Sequence, residues 1–243
     1  MSLARPGKAL REPKGQIVHF VLTGPTSPRL NAVVRVASSF RSAALAACQV
    51  VMGNRDSFLL SGHHPNGKPD ELHEHAFYLP VPDDTGRISS VFVLSPCQRF
   101  SAEEMSALGL IRFLQWNGPS TRVKVELINE DDSALNQVAT MWSSVTPYVP
   151  PRRFYGTHGK RHLVPERQLV AELAKLVPGT CEVEEARQIR DWQIEVRVPK
   201  RGGADRPMKR QGFYVRFRCA EPLCGPIVLG HSTHFGLGLF RPV

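Results

Sequence analysis

The chain has 243 residues, 42% of them hydrophobic, enough for one large core or two smaller ones. Lysines and arginines outnumber acids 31 to 22, giving a formal charge of +9 and pointing to a polyanionic partner such as nucleic acid. The five cysteines are scattered without a CxxC pair, no apolar run is long enough to span a bilayer, and the leader MSLARPGKALREPKG is polar and basic. These features speak against a disulfide framework, a thiolate zinc site, a membrane span and a signal peptide, and set the expected compartment as the cytoplasm.

After the basic leader of residues 1–15, Ile17 to Leu22 reads as a buried strand closed by Thr23-Gly24-Pro25. Leu30, Val33, Val34, Ala37, Phe40, Ala44 and Ala47 then recur at helical spacing. A loop rich in Gly, Pro, Asn and Asp runs from Ser61 to Asp70, followed by strands over 75–79 and 88–94 joined by a turn at Pro82 to Gly86. Ser101, with Glu104 three residues on, caps a helix expected over Ala102 to Trp116 and ended by Asn117-Gly118. Val123, Val125 and Leu127 alternate with Arg122, Lys124 and Glu126, which marks a strand with one wet face. The order over 16–130 is β-α-β-β-α-β, the split pattern of a ferredoxin-like, RRM-type fold. Residues 131–243 offer strands near 140–145, 192–198 and 213–219 and a helix over 165–176. The expected class is α+β, with room for a second, degenerate copy of the same fold before a glycine-rich tail.

Two histidine-bearing segments could carry chemistry. His63, His64, His73 and His75 follow the first long helix, and His73 and His75 would project from one face if a strand already runs there. Imidazoles titrate near neutrality, so this pair suits general acid–base work on a ribose 2′-hydroxyl and a leaving 5′-oxygen. The same His73-Glu74-His75 matches the front half of a cupin metal motif, but Leu79-Pro80-Val81 stands where the next glutamate belongs, and the element order is wrong for a jelly roll. The expectation is therefore no metal and no cofactor. The tail from Gly230 to Phe240 combines His231, Ser232, Thr233 and His234 with Gly236 and Gly238, a composition that lets a backbone approach phosphate. Upstream, Lys200, Arg201, Arg206, Lys209, Arg210, Arg216 and Arg218 form a basic tract, its first part expected as a mobile loop around Gly202, Gly203 and Pro207. Arg152, Arg153, Lys160 and Arg161 form a second tract with Phe154 and Tyr155 interleaved.

Three separated stretches resemble a CRISPR-associated family of the RAMP superfamily, the nuclease half of the fused subunit of type I-U/I-G systems: His73-Glu74-His75-Ala76-Phe77-Tyr78-Leu79-Pro80 with Asp84-Thr85-Gly86-Arg87-Ile88; Trp142 with Val145-Thr146-Pro147-Tyr148-Val149-Pro150-Pro151-Arg152; and His234-Phe235-Gly236-Leu237-Gly238-Leu239-Phe240. The resemblance implies paired ferredoxin-like folds, a glycine-rich loop that contacts RNA, and cleavage of repeat RNA in precursor CRISPR transcripts. It makes His75 and His73 the catalytic candidates. His63, His231, His234, Gly236, Gly238, Arg152, Arg153, Lys200, Arg201, Lys209, Arg210 and Arg216 are the candidate RNA contacts. The alternative is a non-catalytic subunit that holds CRISPR RNA among the other subunits of a type I effector complex.

Overall fold

The computed structural model describes residues 15–53, 55, 57–64, 66–68, 74–129, 135–151, 164–177, 179–191, 194–200 and 203–243. Its first sheet is fed by β1 (Gln16–Thr23), α1 (Val33–Met52), a single turn α2 (Phe58–Ser61), β2 (Phe77–Pro82), β3 (Ile88–Ser95), α3 (Ala102–Gly109), β4 (Phe113–Gln115) and β5 (Arg122–Asn129). The strand order is β2-β3-β1-β5-β4, with antiparallel neighbours throughout. Without the edge strand β4, this is the order in which β1-α1-β2 and β3-α3-β5 each straddle one strand of the other, the ferredoxin-like arrangement.

The rest of the chain supplies β6 (Val138–Ser144), α4 (Pro165–Leu176), β7 (Cys181–Gln188), a separate hairpin of β8 (Ile194–Lys200) and β9 (Gly203–Arg210), β10 (Phe213–Cys224), β11 (Ile227–Val228) and β12 (Leu239–Pro242). The second sheet reads β11-β12-β6-β10-β7. The order β7-β10-β6-β12 repeats β2-β3-β1-β5, with α4 in the place of α1. The second copy is degenerate at one point: where a helix should precede its last strand, residues 229–238 form a loop with one 3-10 turn at Thr233–Phe235.

Helix α1 forms because Val33, Val36, Ala37, Phe40, Ala44 and Cys48 fall on one buried stripe, and it ends at Gly53, whose φ is +67°. Its Phe40 meets Phe20 of β1 edge to face, ring centroids 4.8 Å apart. The capping box at Ser101 and Glu104 is present, and the same Glu104 carboxylate accepts a hydrogen bond from Ser57, the N-cap of α2. One buried carboxylate thus starts two helices.

Several sequence expectations are corrected. The α3 helix stops at Gly109 rather than Trp116, because Phe113-Leu114-Gln115 alternates exposed, buried, exposed and pairs with β5 as an edge strand. Strand β2 begins at Phe77, two residues later than expected, so the same-face argument for His73 and His75 does not hold. The mobile loop expected around Pro207 is strand β9, because Ile194 to Val198 pairs with Arg206 to Arg210 across the hairpin. Cys181 and Cys219, expected to be free thiols, are joined by a disulfide, because the β7–β10 register sets them opposite one another. No helix among the described residues is long and apolar enough to cross a membrane.

The two sheets share packing. Ile17, Leu79, Phe92 and Leu94, on the first sheet's outer face, bury themselves against Leu135 and Leu239, while Val149, Ile194, Val196 and Leu237 join the core beneath α1. Leu237 is fully buried there, a contact worth about 1.5–3 kcal/mol. It anchors the loop of the second copy to the first.

Candidate active site

The site forms where that loop covers the β2 edge of the first sheet. A sheet edge normally leaves amides unpaired, but Pro80 and Pro82 have none to leave, which suits β2 to being covered rather than extended. The preceding turn is pinned to β2. The Ala76 amide donates to the Leu59 carbonyl (2.7 Å), the buried Tyr78 hydroxyl donates to the Leu60 carbonyl (2.9 Å), and the Arg41 guanidinium of α1 donates to the Ser61 carbonyl.

On this frame His75 lies flat against Gly62, whose φ is +69°. A Cβ at Gly62 would stand 2.6 Å from the His75 ring, so no other residue fits there without displacing the imidazole. The other face of His75 stacks on His234, centroids 3.8 Å apart and 13° between planes, and His234 stacks in turn on Phe77 at 3.8 Å and 24°. Residues two apart in extended chain are roughly 6.6 Å apart, about the width of one ring slot, so His234 is inserted between His75 and Phe77. Its Nδ1 sits 3.2 Å from the carbonyl of Ala76, the residue between those two. A carbonyl can only accept, so Nδ1 carries the proton and the neutral ring has its lone pair at Nε2. His63 is fixed in the same sense, Nδ1 at 3.0 Å from the Ser61 carbonyl, and it is exposed.

The loop reaches this position through contacts that account for its glycines. A Cβ at Gly236 would come within 2.4 Å of Pro80 Cδ, and one at Gly238 within 1.7 Å of the Leu229 carbonyl oxygen, so these two buried glycines serve the chain's own packing. Their conformation is accounted for without any RNA backbone. At the loop's start, the Gly230 amide donates to Glu172 of α4 (3.0 Å), whose other oxygen accepts from the Tyr148 hydroxyl (2.8 Å). Burial pushes the Glu172 carboxyl above its usual range despite these two donors.

His231 belongs to the inner side of the loop. Its amide donates to the Val149 carbonyl, its Nδ1 is 2.6 Å from Ser232 Oγ, and burial, then the nearby Arg210 cation, hold its pKa down at about 4. Below the unfolded value of 6.5 the unfolded chain takes up a proton that the folded ring refuses. This group's share of stability is therefore full above pH 6.5 and is lost as pH falls toward 4. In chemical denaturation across that window, His231→Gln is expected to lose less stability than wild type; equal slopes would show the ring is not held neutral.

The other predicted contacts are dispersed. Arg210 donates to the Pro150 and Pro151 carbonyls at 3.4 and 3.3 Å, Lys209 is exposed on β9, and Arg216 is exposed on β10, sharing a face with Arg218, which pairs with Glu184 at 2.7 Å. Lys200 ends β8. His73, Arg152, Arg153 and Arg201 lie outside the described residues. Among the described residues no three His, Cys, Asp or Glu side chains converge as metal ligands. Sequence reasoning separated His75 from His234 and gave Gly62 and Phe77 no role. The one local hint was the proline-bearing edge at Pro80 and Pro82, which invites a cover.

No protein-family model matches this sequence, and no curated protein matches it either. Solved structures are similar in fold at very low identity. A CRISPR-associated protein Cas6 aligns over 94% of this chain and 98% of its own with 9% identity and a TM-score of 0.47. A Cas6b structure aligns over 94% and 100% with 12% identity and a TM-score of 0.47. Csf5, a type IV Cas6 crRNA endonuclease, aligns over 94% and 99% with 15% identity and a TM-score of 0.44.

Proposed function

We propose that the chain is an endoribonuclease that binds repeat RNA of precursor CRISPR transcripts and cleaves it with the substrate's own 2′-hydroxyl as nucleophile. The observation that carries this reading is the inserted His234, held between His75 and Phe77 with Nδ1–H on the Ala76 carbonyl. A ring so fixed presents Nε2 as a general base without having to reorient. It takes the 2′-hydroxyl proton as O2′ bonds to the adjacent phosphorus. The P–O5′ bond breaks, and His75 in its protonated form gives a proton to the departing 5′-oxygen. Two stacked imidazoles favour this division of labour, because charging both would place like charges 3.8 Å apart. The sequence resemblance supplies the substrate class. The exposed Lys209 and Arg216, with the net charge of +9, suit a phosphate backbone.

The test is incubation of purified protein with repeat RNA in single turnover. Cleavage is expected to leave a 2′,3′-cyclic phosphate and a 5′-hydroxyl, to persist in EDTA, and to stop when one 2′-deoxynucleotide stands at the cut. Tight, salt-sensitive binding with no cutting overturns the catalytic part and leaves the chain as an RNA-holding subunit. Loss of cutting in EDTA overturns the metal-free route.

A further inference from the structure

Among the described residues ten positions have positive φ, and nine of them are glycine; the exception is Ser232, at φ +59° and ψ +35°. A side chain in this region costs roughly 1–2 kcal/mol that glycine avoids, and the same loop uses glycine at 230, 236 and 238. At 232 the side chain is present despite that cost. Its Oγ stands 2.6 Å from Nδ1 of His231, while the Ser232 carbonyl accepts from the Phe235 amide (3.0 Å) and sits 3.4 Å from the Leu237 nitrogen. The loop therefore winds about Ser232, with His234 two residues on in a turn that rises about 2 Å per residue.

Resting on the reading of the site as a 2′-hydroxyl-dependent ribonuclease, we infer that the Ser232 hydroxyl is a phosphate-contacting group: it donates to a non-bridging oxygen of the scissile phosphate while His231 Nδ1–H donates to Oγ. The hydroxyl has one proton and two lone pairs, so it can accept from the imidazole and still donate outward. His231 is suited to this duty: its own amide ties it to the Val149 carbonyl, and burial, then the Arg210 cation beside it, disfavour an imidazolium there. Base and donor then come from one turn, His234 acting on the 2′-oxygen and Ser232 on the charge that gathers on phosphorus. A donor aimed at developing charge is commonly worth about 10²–10³-fold in rate.

The experiment compares wild type, Ser232→Gly and Ser232→Ala on repeat RNA carrying an Rp or Sp phosphorothioate at the cut. Ser232→Gly keeps the left-handed turn at no steric cost, so its melting temperature is expected to hold or rise while its single-turnover rate falls about 10²-fold. Wild type is expected to prefer one diastereomer, and both variants to lose that preference. Wild-type rates in Ser232→Gly overturn the inference, and so does a slowed variant that keeps the full preference, since Ser232 would then act on the fold alone. If wild type does not cleave, the functional reading fails separately. Binding then decides the inference: wild type should hold RNA ending in a 3′-phosphate more tightly than RNA ending in a 3′-hydroxyl, and Ser232→Gly should hold them equally. Equal affinities in wild type overturn it.

Discussion

His234→Ala is expected to lower the single-turnover cleavage rate by about 10²–10⁴-fold, the worth of a positioned base, with RNA affinity changed by no more than a few-fold. The ring is inserted between His75 and Phe77 and oriented by the Ala76 carbonyl, so its removal takes away the proposed base and opens the slot. His234→Phe separates the two effects. It fills the slot and restores the stack without a nitrogen, and it should be as inactive as His234→Ala while melting close to wild type. His75→Ala should slow cleavage as well, and an acid's loss should be eased by a substrate whose 5′-leaving group needs no proton, such as a 5′-bridging thiolate. If His234→Phe cuts at the wild-type rate, the stack is only a structural joint and His63, exposed and with the same fixed tautomer, becomes the candidate.

The second large effect concerns stability. Gly238→Ala is expected to cost about 1–2 kcal/mol for the left-handed backbone and about 1–3 kcal/mol more for overpacking, because its Cβ would fall on the Leu229 carbonyl. For a chain of this size each kcal/mol moves the melting temperature by about 2–4 °C. The control is Gly86→Ala, at φ +76° in the β2–β3 turn with nothing within 4 Å of its added Cβ, which carries the backbone cost alone. The two variants compared by thermal melts should differ by the overpacking part. Equal shifts would mean that the 229–238 contact yields easily, and the loop would then be less firmly seated than its packing implies.

Where the pattern in the sequence is local, it was legible. Helix α4 runs over Pro165–Leu176, as expected, because Pro165 starts it and its apolar positions repeat at helical spacing. The first β-α-β-β-α-β unit followed from alternation and capping. Strand β7 was not legible: Cys181 and Val183 keep period two, but the register slips opposite Arg216/Phe217 and the next inward residue is Ala186, so the alternation breaks within eight residues dominated by glutamate. Strand β12 is called into being by β6, far along the chain, while β9 forms against its neighbour β8 despite the Pro207 that suggested a loop. The site was half legible. His75 and His234 were both singled out, each by its neighbours, but nothing near either one encodes the other. Their pairing depends on Leu237 entering the first core and on β12 finding β6, which are properties of the finished fold.

The insertion of His234 also sets an order of events during synthesis. All five strands of the first sheet lie within residues 16–129, so the sheet can pair while the ribosome is still translating the second, and Val149, Ile194, Val196 and Leu237 complete its core only afterwards. The ring that completes the slot beside His75 is encoded 158 residues after Ala76. A nascent chain can therefore pair its first sheet before His75 has its stacking partner, and on the proposed mechanism a ribosome stalled before the codon for His234 carries an inert product. On that reading, activity switches on only in chains translated at least that far.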